Sequence, residues 1–226
     1  MTVLPAKPLN LLDDVADLTA ALMDIESVSG NEAAIADAVE QALKGLDHLE
    51  VVRDGDSIMA RTSLGRSERV ILAGHLDTVP LPSVPGSRGT VPSSRDGDVL
   101  YGRGATDMKG GVAVQLALAA RLADPSRDIT FIFYDHEEVD ASLSGLGRLE
   151  KSFPEWLKAD FAILLEPTDG TVEGGCNGTM RFQARTTGKA AHSARAWMGE
   201  NAIHGAAEIL VRLRDHQPAT VRVEGL

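Results

Sequence analysis

Three short apolar runs constrain the fold of this chain more than any other feature: VILAG at 70–74, DITFIFYD at 128–135 and FAILLE at 161–166. DITFIFYD, rich in β-branched and aromatic residues, is the clearest strand, and VILAG is apolar on both faces, the mark of a strand buried inside a sheet. Between them GVAVQLALAARL at 111–122 is too apolar for a surface helix with a solvated back, so it is expected to lie against a sheet. A further helical stretch separates the second run from the third. Strand, helix, strand in this order is the signature of an α/β fold.

The flanking regions extend this pattern. Leu11, Leu12, Val15, Leu18, Leu22 and Ile25 follow helical spacing, and Asp13 and Asp14 sit where the positive end of a helix favours them. After the break SVSG at 27–30, Ile35, Val39, Ala42, Leu43 and Leu46 predict a second helix with Asn31 as its cap. LEVVR and SIMART flank DGD at 54–56 and predict a hairpin, while the Pro-, Gly- and Ser-rich stretch 80–98 reads as a loop bordering a cleft. From Thr171 the pattern changes. TVEGGCNGTMRFQARTT alternates like exposed antiparallel strands, GENAIHGAAEILVRLRD is an amphipathic helix, and TVRV begins another strand. A boundary is expected near 175–179, giving a catalytic domain over 1–176 and part of a second domain over 177–226.

Composition excludes several classes of function. The 226 residues carry a formal charge of −11 and no Lys/Arg block, which argues against nucleic acid and against an anionic membrane surface as partners. The single cysteine, Cys176, permits no internal disulfide and is paired with no histidine motif that would make it a nucleophile. The N-terminus lacks the basic and continuous apolar regions of a secretory signal, and no run of about 18 apolar residues occurs. A reducing, cytoplasmic setting is the expectation.

In open α/β sheets ligands bind at the carboxyl ends of strands, and that is where the chemistry-bearing segments fall: GHLDT at 74–78, GRGATDMKGG at 102–111, DHEEV at 135–139 and LEPT at 165–168. They offer His75, Asp77, Asp107, Glu137, Glu138 and Glu166, oxygen donors with one imidazole, a set suited to divalent metal ions. His75 and Asp77 are two apart and point the same way in extended chain, so the Asp77 carboxylate can accept the second ring N–H while His75 holds a metal. Asp107 follows a glycine loop and precedes an apolar helix, so it serves as a bridge between ions or as a helix cap. The loop lacks the GK[ST] ending of a nucleotide P-loop. Of the adjacent Glu137 and Glu138, one can bind metal while its neighbour acts as general base. Glu166 ends an apolar run and needs a partner for its charge. His136 beside this pair is easily mistaken for a further ligand; His204 and His216 read as solvated.

Taken jointly, GHLDTVP, YGRGATDMKGG, EE, EPT and GKAAHSARAWMGENAIH resemble, in order and spacing, the co-catalytic dizinc amidohydrolase and exopeptidase family. That family includes acetylornithine deacetylase, succinyl-diaminopimelate desuccinylase, aminoacylase and glutamate carboxypeptidase. The resemblance covers about residues 10–226 and, through YDHEEV and HSARAWMGENAIH, is strongest to the actinobacterial desuccinylase group. It implies a mixed-sheet, zinc-peptidase-like catalytic domain with helices on both faces and the start of a small α+β, ferredoxin-like lid and dimerisation domain. It makes His75 and Glu166 ligands of one zinc, Glu138 a ligand of the other, Asp107 the bridge, Glu137 the general base and Asp77 the residue that orients His75. His192 resembles the histidine that reaches from a partner's small domain to the developing oxyanion, which implies a homodimer.

The implied reaction is hydrolysis of the N-succinyl amide of N-succinyl-LL-2,6-diaminopimelate to succinate and LL-2,6-diaminopimelate, in lysine and diaminopimelate biosynthesis. Two Zn2+ are the implied cofactors, with Co2+ as a substitute, and the substrate class is a small N-acyl amino acid. Acetylornithine deacetylation, a related aminoacylase or carboxypeptidase activity, and a non-catalytic metal-binding fragment are the alternatives. Two departures stand out. Asn177 takes the place of the arginine common in relatives, and no segment after residue 200 supplies the second-site histidine. The chain therefore reads as the N-terminal portion of such an enzyme, expected to bind one metal better than two and to turn over poorly by itself.

Overall fold

The computed structural model describes residues 8–175, 180–220 and 222. The chain divides into two compact units, Met1–Gly170 and Thr171–Leu226. Cys176 and Asn177, singled out in the sequence, lie outside the described residues, as do most positions of the expected boundary.

The first unit is built on a five-stranded mixed sheet. A hairpin joins β1 (Glu50–Asp54) to β2 (Ser57–Arg61), with Asp54 paired to Ser57 across a two-residue turn. Gly55 at φ 62° occupies the left-handed position that such a turn requires. β2 pairs antiparallel with β6 (Asp128–Tyr134), and β6 runs parallel to β3 (Arg69–His75), which runs parallel to β7 (Phe161–Leu164). The spatial order is β1-β2-β6-β3-β7. Between β3 and β6 the chain forms a small hairpin, β4 (Ser94–Asp96) with β5 (Val99–Tyr101), inside and just beyond the stretch read as loop. Three-residue strands leave too little apolar alternation to show in a sequence. Hydrogen bonds from Arg95 to Asp17 and from Ser93 to Asp24 pin this hairpin to the first helix.

Side-chain alternation along the strands sorts the core onto two faces. Ile58, Ala60, Leu72, Ile129, Phe131 and Phe133 face a layer of three helices, α1 (Val15–Met23), α2 (Ala33–Lys44) and α3 (Gly110–Arg121). Met59, Ile71, Ala73, Ile132 and Tyr134 point the other way, onto Leu149 of α4 (Gly145–Ser152) and Trp156. Burying a side chain such as Phe131 or Phe133, both 0% exposed, contributes about 1.5–3 kcal/mol each. Helices cover both faces of this α/β sheet. β7 is the exception: it pairs only with β3, and its apolar residues Phe161, Ile163 and Leu164 are exposed among the described residues. Being at the sheet's edge, it has a neighbour on one side only.

Helix entry differs from expectation at α2. Asp14 caps α1 by accepting from Ala16 N at 2.8 Å, but Asn31 does not cap α2; Glu32 holds the cap position and makes no side-chain cap bond. Its carboxylate turns inward instead.

The second unit holds a 3-10 stretch at Ser193–Met198, α5 (Ala202–Gly205) and α6 (Ala207–Arg214). The amphipathic helix read over 199–215 is thus divided at Ala206. Residues 180–187 form no ladder; the extended contact described here is the single bridge of Lys189 with Glu200. Alternation alone does not make a strand, because its backbone groups need a partner strand, and no described residue supplies one there. Of the expected TVRV strand, Val221 and Val223 lie outside the described residues, and Thr220 and Arg222 are in no strand. No described helix is long and apolar enough to cross a membrane.

Candidate metal centre

β3, β6 and β7 deliver their carboxyl ends to one place, and the predicted donors of the first unit meet there. His75 is the last residue of β3, 1% exposed, with Nε2 2.9 Å from Asp107 Oδ1 and 3.9 Å from Glu166 Oε1. Its Nδ1 lies 2.9 Å from the main-chain carbonyl of Asp77 and 3.4 Å from that residue's carboxylate. The ring N–H expected to go to the Asp77 carboxylate therefore goes to the Asp77 backbone, because a residue two positions on in this turn presents its carbonyl first. The tautomer is fixed either way, leaving Nε2 aimed at the carboxylates.

The Asp77 carboxylate, fully buried, has other work. It accepts from Ser29 Oγ at 2.6 Å and from the main-chain N–H groups of Glu137 and Glu138 at 2.9 and 3.0 Å. Burial opposes its charge, but these donors and His75 outweigh it and hold the carboxyl down at about 2. The glutamate pair is thus anchored through its backbone, which frees both side chains.

Asp107 arrives from a loop that must approach closely. Gly104 sits at φ 78°, and a Cβ there would lie 2.7 Å from Thr78 Cγ2, so the glycine lets this loop lie against the His75 loop. Met108, completely buried after a cis Asp107–Met108 peptide, receives the His75 N–H on its sulfur at 3.2 Å. A Cβ on Gly111 would collide with the carbonyl oxygen of Leu165, so the start of α3 sits directly against the segment that presents Glu166.

The charges are unbalanced in a way that fits a cation. His75, Asp107 and Glu166 bring donor atoms within 4.8 Å of one another, and so do His75, Glu137 and Glu138. Burial first, and then the neighbouring carboxylates, push the Glu138 and Glu166 carboxyls above their ordinary range despite the attraction of His75. Burial disfavours a charged His75, yet Asp77, Glu166 and Asp107 together lift it to about 9. Burial and the same carboxylates also push the Tyr134 phenol up; its ring meets His75 edge-on with centroids 6.1 Å apart. Hard oxygen donors with an imidazole, crowded until they compete for protons, suit a divalent metal ion.

Other histidines do not join the cluster. His136, at φ 58°, turns Nδ1 to Asp135 Oδ2 at 2.7 Å and toward Glu32 Oε1 at 3.4 Å. His192 belongs to the second unit, where its Nδ1 accepts from Ala194 N at 3.1 Å and the ring is exposed. Neither His204 nor His216 is found in a metal-capable group among the described residues.

Several contributors escape a reading of the sequence. Lys109 is 1% exposed and donates to the carbonyls of Leu22 at 3.2 Å and Ile25 at 2.7 Å, tying the Asp107 loop to the end of α1. Burial lowers its ammonium to about 8, partly offset by Asp24 and Glu26. Its only sequence signal is a lysine at the head of an apolar helix. Ser29 and Glu32 lie in the break between two helices, where small polar residues are read as solvated loop.

The profile of a family described as Peptidase family M20/M25/M40 matches residues 71–221. A protein of Mycobacterium tuberculosis, provisionally named a succinyl-diaminopimelate desuccinylase, is 51% identical over 96% of this chain and 60% of its own length. The succinyl-diaminopimelate desuccinylase of Corynebacterium glutamicum is 43% identical over 96% of this chain and 59% of its own. The chain thus spans about 60% of the length of these relatives. Among solved structures, a tripeptidase from Staphylococcus aureus shares the fold with a TM-score of 0.58 and 20% identity, over 91% of this chain and 57% of that one. An M20 family metallo-carboxypeptidase from Sulfolobus solfataricus does so with a TM-score of 0.60 and 18% identity, over 67% and 37%. With a profile matched over most of its length and a relative identical at half its positions, this chain belongs to peptidase family M20/M25/M40.

Proposed function

We propose that this chain carries the metal-binding part of a dizinc amidohydrolase that cleaves the N-succinyl amide of N-succinyl-LL-2,6-diaminopimelate. The observation that carries hydrolysis is the convergence of His75, Asp107, Glu137, Glu138 and Glu166 at the carboxyl ends of three parallel strands. The succinyl substrate rests on the likeness to two relatives so named, 51% and 43% identical.

His75 and Glu166 would hold one ion, Glu138 the other, and Asp107 would bridge them. Bound zinc would supply Lewis-acid polarisation of the amide carbonyl and acidify a water molecule. Glu137 takes the proton from the attacking water and returns it to the departing amine, so that amide and water become succinate and free diaminopimelate. Its main chain, fixed on Asp77, holds the carboxylate in place through both transfers. His192 is assigned to the oxyanion from a partner subunit. Because its Nδ1 accepts from Ala194 N, the neutral ring carries its proton on Nε2, the donor an oxyanion requires. Ile203, Leu210 and Leu213 are exposed apolar residues of the same unit and would be covered in a homodimer.

A second reading is a metal-binding chain without turnover. Both donor sets share the single imidazole of His75, which can serve only one ion through Nε2. An assay of the chain with zinc or cobalt on N-succinyl-LL-diaminopimelate, N-acetylornithine and a dipeptide separates these readings. The amidohydrolase reading expects fastest release from the succinyl substrate and none in Glu137→Gln. Faster cleavage of N-acetylornithine overturns the substrate choice, and metal binding without hydrolysis of any of the three favours the second reading.

A further inference from the structure

The segment 27–32 between α1 and α2 touches both loops that bear the donors. Ser27, 1% exposed, donates to Leu76 O at 2.7 Å, and its own carbonyl accepts from Thr78 N at 2.9 Å. Ser29 N donates to Thr78 O at 3.1 Å while Ser29 Oγ donates to Asp77 Oδ2 at 2.6 Å. Val28 and Thr78 form a parallel bridge. Three residues on, Glu32 is completely buried; its Oε1 accepts from His136 N at 3.3 Å, and no donor among the described residues reaches its Oε2.

A buried carboxylate with one unpaired oxygen, and a cap position left without a side-chain bond, are costs with no local return. What they produce is a brace. Ser29 grips the carboxylate that holds the Glu137 and Glu138 amides, and Glu32 grips the backbone of His136, the residue at φ 58° that turns β6 toward that pair. One short loop is thereby bonded to both the His75 turn and the turn that carries Glu137 and Glu138.

We propose that Ser29 and Glu32 are positioning residues that set the spacing of the two donor loops, and hence the affinity of the centre for its metal. The inference rests on the metal-centre reading above. Outer partners of this kind typically change metal affinity about 10–100-fold.

The test is zinc affinity by competition with a chromophoric chelator, together with the visible spectrum of the Co2+-loaded chain. It covers the unmodified chain, Ser29→Ala, Ser29→Thr, Glu32→Ala, Glu32→Gln and Asp128→Asn, with thermal unfolding of each metal-free form. Ser29→Ala and Glu32→Ala are expected to weaken zinc about 10–100-fold and to alter the cobalt bands. Ser29→Thr, which keeps a hydroxyl, and Glu32→Gln, which keeps an acceptor for His136 N–H, are expected to stay within about 3-fold of the unmodified chain, well below that range. Asp128, which accepts from Thr62, Leu64 and Arg66 at the other end of the sheet, is the control: its variant should lower the unfolding temperature and leave metal affinity unchanged. Unchanged affinity and spectrum in both alanine variants, or Glu32→Gln binding as weakly as Glu32→Ala, overturns the proposal. An unmodified chain that binds no metal overturns the metal-centre reading itself, a separately visible result.

Discussion

The carboxylate of Asp77 accepts the main-chain N–H of Glu137 at 2.9 Å, so the residue expected to orient the histidine also seats the residue proposed as general base. Asp77 accepts as well from Glu138 N and Ser29 Oγ, and with no exposed surface it has no water to replace them. Asp77→Asn puts an NH2 group against at least one of these donors. It is expected to lower zinc affinity about 10–100-fold and to destabilise the metal-free chain by about 1–3 kcal/mol. Chelator competition and urea unfolding read the two effects separately.

The metal-free chain should be most stable in weak acid. His75 is lifted from 6.5 to about 9, so the stability it contributes is complete below 6.5 and is lost as pH rises through about 9. Glu138 and Glu166, raised above their ordinary values by burial and by neighbouring carboxylates, act in the same direction. Asp77 is lowered from 3.8 to about 2, so its contribution is present above 3.8 and lost as pH falls through about 2. Urea midpoints of the chelator-treated chain should therefore fall between pH 6.5 and 9, and His75→Gln should flatten that decline.

Metal uptake should release a proton. His75 is an imidazolium below about pH 9 in the metal-free chain and must be neutral to bind a cation. Calorimetry of zinc binding at pH 7.5 in buffers of different ionisation enthalpy should show proton release in the unmodified chain and less in His75→Gln.

Lys109→Met removes the ammonium from the carbonyls of Leu22 and Ile25 and leaves both without that donor. Leu22 O keeps the Ile25 N–H at 3.2 Å, so the loss falls on Ile25 O, and leaving one such buried acceptor without its donor costs about 1–3 kcal/mol. Chemical unfolding should show this loss. Gly111→Ala should cost about 1–3 kcal/mol by overpacking against Leu165 and should also weaken zinc, because Leu165 precedes Glu166.

The architecture was legible where local pattern and final environment agree. DITFIFYD, with its unbroken apolar stretch Phe131–Tyr134, contains the fully buried β6, and DGD lies at the hairpin turn it predicts. His75, Glu137, Glu138 and Glu166 stand out because each ends or closely follows an apolar run, and Asp107 because it lies between a glycine loop and an apolar helix; a strand end in a parallel sheet is where side chains converge. The brace formed by Ser29 and Glu32 left no such trace. Its bonds join residues 48 and 104 positions apart, and no local periodicity reports a contact of that range. The same limit explains Asn31, a good cap by composition that yields its position to Glu32. It explains 180–187 too, where alternation was visible and the absence of a partner strand was not.

The most direct test is the zinc content of the purified chain after dialysis against submicromolar zinc, compared with His75→Ala and with Glu166→Gln. Because His75 is common to both donor sets, a metal centre on these residues predicts one tightly held zinc in the unmodified chain, none in His75→Ala and a weakened site in Glu166→Gln. Equal zinc retention by the unmodified chain and His75→Ala would contradict it.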